Sequence, residues 1–330
     1  MDIREEAKKT RPPNFISALL AGFDSISNHL FLLVLPILMD LFLWLGPRLK
    51  IGELLNRTIT ELSQVTGATN PDAANLFALS QDFWKAAAER INLFSALRSY
   101  PVGIPSLMAA KLPAQAPMAF ASIQIPSWSA VLGVWIVVSI AGLMIGTIYF
   151  LSTAQIALDG KINYQSLFQT WPWSFRQVLI LTIIWLVLII VLSIPASIVL
   201  SLMISASIFG QIILLLIGSF VLWMLFPLIY SVHGIFVYHL KVSASVRKSI
   251  QVVQMTLPAT ALFFLSVIVI DQGLGLLWQI PAENSWLILI GVVGHAFVAT
   301  GLLAASFIYY RDADRWIQTI LKRFNQAQAA

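Results

Sequence analysis

The sequence predicts an all-α polytopic transmembrane helical bundle of six spans. Three observations carry that expectation. Of 330 residues, 58% are hydrophobic and only 11% are charged. Mean hydropathy is +0.84, whereas a water-facing domain carries about 25% charged residues. The apolar residues fall in long runs, and a helix needs about 20 of them to cross the hydrocarbon layer. Together these exclude a soluble enzyme and a nucleic-acid-binding domain.

The six runs are roughly Leu30–Gly46, Trp128–Leu151, Val178–Ile204, Ile208–Val232, Pro258–Ile280 and Trp286–Tyr310. The first run, 30–46, is the shortest and holds Pro36 and Asp40. It begins too late, and lacks a small-x-small site, for a cleavable signal peptide. A few small residues, Ser205–Ser207, separate the third and fourth runs and imply a tight hairpin. Pro36, Pro195 and Pro227 interrupt spans one, three and four, freeing the carbonyls of Leu32, Val191 and Trp223. Gly142 and Gly146 make a small-xxx-small pair in span two, which predicts tight packing.

Basic residues orient the chain. Arg4, Lys8, Lys9, Arg11, Lys161, Arg176, Lys241, Arg247, Lys248, Arg311, Arg315, Lys322 and Arg323 all fall on one side. The two short loops of the other side have none. The remaining basic residues lie in the long loop 47–127. Both termini are therefore expected in the cytoplasm of a bacterial inner membrane, with 47–127 outside. Trp44, Trp128, Trp278 and Trp286 fall at outer ends, and Tyr149, Tyr230, Tyr309 and Tyr310 at inner ends. Such rings are expected as lipid-facing interface anchors. The net charge of +5 suits anionic lipid head groups as partners.

Short amphipathic stretches precede three outgoing spans. They lie within 1–29 (Phe15, Leu19, Phe23, Ile26), near 162–175 (interrupted by Pro172) and in 242–257 (Val242, Val246, Ile250, Val253, Leu257). Each reads as an interfacial helix. Ile148-Tyr149, Ile229-Tyr230 and Ile308-Tyr309 close the return spans at intervals of about eighty residues. The expected unit is an interfacial helix plus a helical hairpin, used three times across 1–46 and 128–310, with 311–330 as a cytoplasmic tail.

The insertion 47–127 carries two amphipathic helices. One uses Ile51, Leu54, Leu55, Ile59, Leu62 and Val65. The second starts at an Asn70-Pro71 cap and runs toward Ser99. Five prolines from Pro101 to Pro126 then preclude long helices. The insertion reads as a cap on the bundle or as a platform for a protein partner.

Inside the spans, Asp40, Asp271 and His295 stand out, because ionisable groups at that depth must face protein or water. Asp271 and His295 fall on antiparallel neighbours, each about 13 Å below the outer boundary, and Asp40 about 9 Å below it. An Asp271–His295 contact is expected, as a proton- or ion-handling site or as a hydrogen-bonded pair joining two helices. Gln272, Gly273, Gly275, Gly291 and Gly294 suit either. Glu283 lies beside the spans. Phosphate-loop, zinc-protease and nucleophile-elbow signatures are missing, and His233 and His239 have the wrong spacing for one metal face. No cofactor, metal or catalytic residue is expected. With no cysteine, disulfides and thiol chemistry are excluded.

Two segments carry a resemblance: Val-Ser-Ala-Ser-Val-Arg-Lys-Ser at 242–249, and Ala-Ala-Ser-Phe-Ile-Tyr-Tyr-Arg-Asp at 304–312. The layout resembles uncharacterised bacterial six-span membrane proteins and the membrane domain fused to some glycerophosphodiester phosphodiesterases. It covers most of the chain in layout but few specific residues. The soluble phosphodiesterase barrel has no room here, so the resemblance implies no catalytic residue. A non-catalytic membrane protein acting through lipid or partner contacts is the first expectation. A secondary transporter with an Asp/His site and an intramembrane lipid-modifying enzyme are the alternatives.

Overall fold

The computed structural model describes residues 13–69, 83–118, 121–203 and 208–329. The Asn70-Pro71 cap, the Ser205–Ser207 turn and the basic residues before residue 13 lie outside them. The fold is an all-α polytopic bundle. Five helices are long and apolar enough to cross a membrane, or six if the bent pair Phe15–Ser27 plus Leu30–Leu45 is one span. A belt of exposed Ile, Leu and Val on the third and fourth spans (Ile183, Val187, Ile190, Leu215, Leu222) is the surface that lipid requires.

The chain opens with α1 (Phe15–Ser27), capped by the Asn14 side chain, which accepts from Ile16 N at 3.0 Å. A short 3₁₀ turn and α2 (Val34–Leu45) follow at 90° to α1. The first expected interfacial stretch is thus a helix; of its expected stripe Ile26 is buried, Phe15, Leu19 and Phe23 are half-buried, and Ala18 and Gly22 complete the buried face. Gly22 lies so close to Ala305 that a Cβ would collide with it, and Gly301 likewise receives the Phe23 ring. Small residues, Gly22 on α1 and Gly301 and Ala305 on the last helix, let α1 pack closely along it.

Two strands that the sequence did not suggest come next in the insertion: β1 (Arg48–Lys50) and β2 (Ser122–Gln124), paired in parallel with Leu49 opposite Ile123. Between them lie α3 (Gly52–Thr69), α4 (83–90), a 3₁₀ turn Leu93–Leu97 and α5 (Leu107–Lys111). The long second amphipathic helix expected to reach Ser99 instead stops at residue 90. Asn92 ends it: its side chain accepts from Phe94 N at 3.2 Å and Leu49 N at 3.1 Å, a local alternative to helical bonding.

The remaining spans are α6 (Trp128–Asp159), α7 (Tyr164–Met203), α8 (Ile208–Leu225) with the short α9 (His233–Tyr238), α11 (Leu257–Trp278) and α12 (Ile288–Ala329); α10 (Val242–Met255) precedes α11. Two expected boundaries change. The stretch near 162–175 is not a separate helix but the start of α7, which runs through both Pro172 and Pro195. Each proline removes one backbone bond. Near Pro172 the packing of Trp171, Trp173 and Phe175 on the core keeps the axis continuous. The expected tail 311–330 continues α12 as one helix through Ala329. At 40 and 42 residues, α7 and α12 extend about 60 Å, twice the hydrocarbon thickness.

Of the three prolines expected to interrupt spans, Pro36 sits in the first turn of α2 just after the 3₁₀ turn Leu30–Leu33, Pro195 leaves α7 unbroken, and Pro227 gives a 3₁₀ turn at Phe226–Leu228 between α8 and α9. Backbone groups left open by this turn are met by α10. Ser249 Oγ donates to the Pro227 carbonyl (2.7 Å) and accepts from Tyr230 N (3.0 Å), and Ser245 Oγ donates to the Ser231 carbonyl (2.6 Å). The buried face of α10 is therefore Val242, Ser245, Ser249 and Val252–Val253, and Leu257 from the expected apolar stripe is exposed. Lys248 pairs with Asp314 of α12 at 3.0 Å.

The tyrosines are not lipid-facing anchors. Tyr149, Tyr230, Tyr309 and Tyr310 are fully buried, as is Trp44. Tyr149 donates to Thr300 on α12, and Tyr230 and Tyr309 stack at 6.1 Å. α6 continues past Tyr149 and α12 past Tyr309 and Tyr310, whereas Tyr230 lies in the turn between α8 and α9; all four rings sit in the core. Trp128 and Trp286 remain exposed, as an anchor needs.

Candidate functional site

A cavity of about 360 Å³ lies among α6, α9, α11, α12 and the segment 98–105 of the insertion. That segment reaches the bundle because α6 leaves it room. Gly142 touches the Leu97 carbonyl and Gly146 the Val102 carbonyl so closely that neither position tolerates a Cβ. The small-xxx-small pair thus admits the backbone of Leu97–Gly103. Within this segment Tyr100 packs edge-on against the Trp185 ring of α7, centroids 5.4 Å apart. Desolvation raises its hydroxyl above the usual phenol range.

Of the three expected site residues, two line this cavity. Asp271 and His295 both face it, together with Arg98, Ser99 and Gln272. They do not hydrogen-bond to each other. The Asp271 carboxylate accepts from Gln272 Nε2 at 3.1 Å, and buried His295 Nε2 has no partner among the described residues. Below this polar end the walls become apolar: Phe263, Phe264, Val267, Leu302 and Leu303. At the far end His233 Nε2 meets Ser306 Oγ at 2.9 Å. Ile268 lines the cavity and is 55% exposed, so the cavity opens sideways beside α11 toward the lipid-facing surface.

The candidate glycines divide. Gly291 and Gly294 seat Trp278, closing α11 on α12, whereas Gly273 and Gly275 meet nothing within contact distance.

Asp40 lies elsewhere. It is fully buried, and its carboxylate accepts from Ser106 Oγ, Leu107 N (3.1 Å) and Met108 N (2.9 Å). Ser106 Oγ in turn caps α5 by accepting from Ala109 N. Asp40 therefore satisfies the free amides at the start of α5 and pins the insertion to span one. Glu283 makes a second clamp. It pairs with Arg90 at 3.0 Å, accepts from Ala114 N at 2.8 Å and offers its carbonyl to Trp44 Nε1 at 2.8 Å. Burial alone would raise its pKa. The bonds from Arg90, Ala114 and Gln115 outweigh burial and hold it below the usual carboxylate range.

Sequence reasoning missed Arg98, Ser99 and His233 as members of one site. Nothing in the composition of a proline-rich loop signals that it dips into a bundle, although Gly142 and Gly146 mark where something must approach. Among the described residues no group of three or more His, Asp or Glu side chains could hold a metal ion.

Fold and site together define a polytopic α-helical membrane protein with an amphipathic, laterally open cavity. Compared with known proteins, the chain matches no family model, no curated protein and no solved structure.

Proposed function

We propose that this protein binds a membrane lipid, taking it from the bilayer through the opening beside α11. Its polar end is held by Arg98, Asp271, Gln272 and His295. The observation that carries this reading is the gradation of the cavity wall, polar at the insertion side, apolar for the next turns of α11 and α12, and open to the lipid belt at Ile268. Ligand sites are commonly apolar clefts with a few placed polar groups. A volume of about 360 Å³ holds a head group and the start of a chain, while the rest of the lipid stays in the bilayer. The loop charges support cytoplasmic termini, with the site in the outer leaflet of a bacterial inner membrane. Kinship in layout with phosphodiesterase-fused membrane domains, and a protein partner on the insertion, remain part of this proposal.

Native mass spectrometry of the protein released from nanodiscs tests it. Retained lipid that disappears on Ala299→Trp, which fills the cavity, supports the reading; equal retention by that variant contradicts it. Transport is a second reading, favoured by one observation: His233 and Ser306 continue the cavity's polar groups beyond its apolar part. Proton-coupled uptake in vesicles, lost on His233→Ala, would establish it.

A further inference from the structure

The cavity contains one cation and one carboxylate that are not used on each other. Arg98 and Asp271 line the same space, yet neither forms an ion pair with any described residue. Among the described residues the guanidinium of Arg98 makes a single hydrogen bond, a long one, 3.4 Å from Nη1 to the Ser106 carbonyl. Among the described residues the Asp271 carboxylate accepts only from its neighbour Gln272. Opposite charges in a partly desolvated site attract strongly when nothing lies between them. Two that remain apart present a dipole to whatever enters.

Resting on the lipid-binding reading above, we infer that the cavity selects a lipid with a zwitterionic phosphoethanolamine head. Arg98 meets the phosphate and Asp271 meets the primary ammonium. A guanidinium presents five donors in a planar fork that suits phosphate oxygens. A carboxylate is acceptor-only and so suits an ammonium with three N–H donors. Gln272 supplies a further amide oxygen beside Asp271, and the unpartnered His295 Nε2 is a third polar atom at this end. An anionic glycerol head would leave Asp271 without a cation. A choline head would bring charge but no N–H, so the carboxylate would accept no hydrogen bond from it.

The test uses the full chain in nanodiscs of equal phosphatidylethanolamine, phosphatidylglycerol and phosphatidylcholine, with retained lipid read by native mass spectrometry. The unmodified protein should favour the ethanolamine lipid by on the order of tenfold, as expected of one charge-assisted hydrogen bond. Asp271→Asn should abolish that preference while lipid remains bound. Asp271→Glu should keep it, and Arg98→Gln should lower retention of all three. Soluble phosphoethanolamine should displace the lipid from unmodified protein, where glycerol phosphate does not; this needs no variant to fold. Retention without preference, or a preference unchanged in Asp271→Asn, overturns the head-group inference and leaves lipid binding standing. Retention of no lipid overturns the lipid-binding reading itself. Phosphoethanolamine binding without retained lipid shows a site for the soluble zwitterion and overturns the lipid source.

Discussion

Asp40→Ala is the sharpest test of how the insertion is held. Asp40 was expected beside Asp271 and His295 as part of an ion-handling site, but its carboxylate is occupied by Ser106 Oγ and the amides of Leu107 and Met108. Removing it leaves one hydroxyl and two amides unpaired in a fully buried place. At ~1–3 kcal/mol for each orphaned group, and with partial relaxation, the cost is about 3–6 kcal/mol. Asp40→Asn keeps one acceptor oxygen but turns an amide toward an N–H, so its cost should be smaller, about 1–3 kcal/mol. The assay is hydrogen exchange of the Leu107, Met108 and Ala109 amides in detergent, alongside thermal unfolding. Protection should fall at least a hundredfold in the alanine variant, since ~1.4 kcal/mol is tenfold. Protection of these amides within about threefold of the unmodified protein would refute the capping role.

Other perturbations reach the same framework from different sides. Gly142→Val places a side chain against the Leu97 carbonyl and should cost about 1–3 kcal/mol. Because the chain has no cysteine, a Ser99→Cys probe should label faster with a thiol reagent in that background. Ser249→Ala orphans the Pro227 carbonyl and Tyr230 N–H, and should lower stability by about 2–4 kcal/mol in thermal unfolding. The lowered pKa of Glu283 makes its clamp strongest above its ordinary value near 4.5, and the stabilisation is lost as pH falls through the lower folded value. Glu283→Gln should flatten that acid limb of an unfolding-versus-pH curve. The contribution is modest, since the side chain of its partner Arg90 is 47% exposed.

The spans and the helix-forming stretches were legible because bilayer thickness imposes a length and hydropathy that no other constraint erases. Side-chain destinations were less so. Tyr149, Tyr230 and Tyr309 occupy positions where an interface anchor and a core aromatic look identical in one sequence, and their contacts with Thr300, Phe263 and one another decide between them. Pro172 and Pro195 looked like breaks as much as Pro227 did. Only at the third do serines of a neighbouring helix, Ser245 and Ser249, bond the backbone groups that the resulting turn leaves open. Asp271 and His295 were placed together by helix depth alone. Arg98 was not, because its position depends on a loop path set by Gly142, Gly146 and Asp40, residues far from it in the chain. The strands Arg48–Lys50 and Ser122–Gln124 are too short to show a period of two.

The most direct test of the cavity as a lipid site is photo-crosslinking with a phospholipid carrying a diazirine near the start of one acyl chain. Adducts should concentrate on Phe264, Val267, Ile268 and Leu303, and Ala299→Trp should remove them. Adducts spread along the exposed faces of α7 and α8, and unchanged by that substitution, would contradict the account.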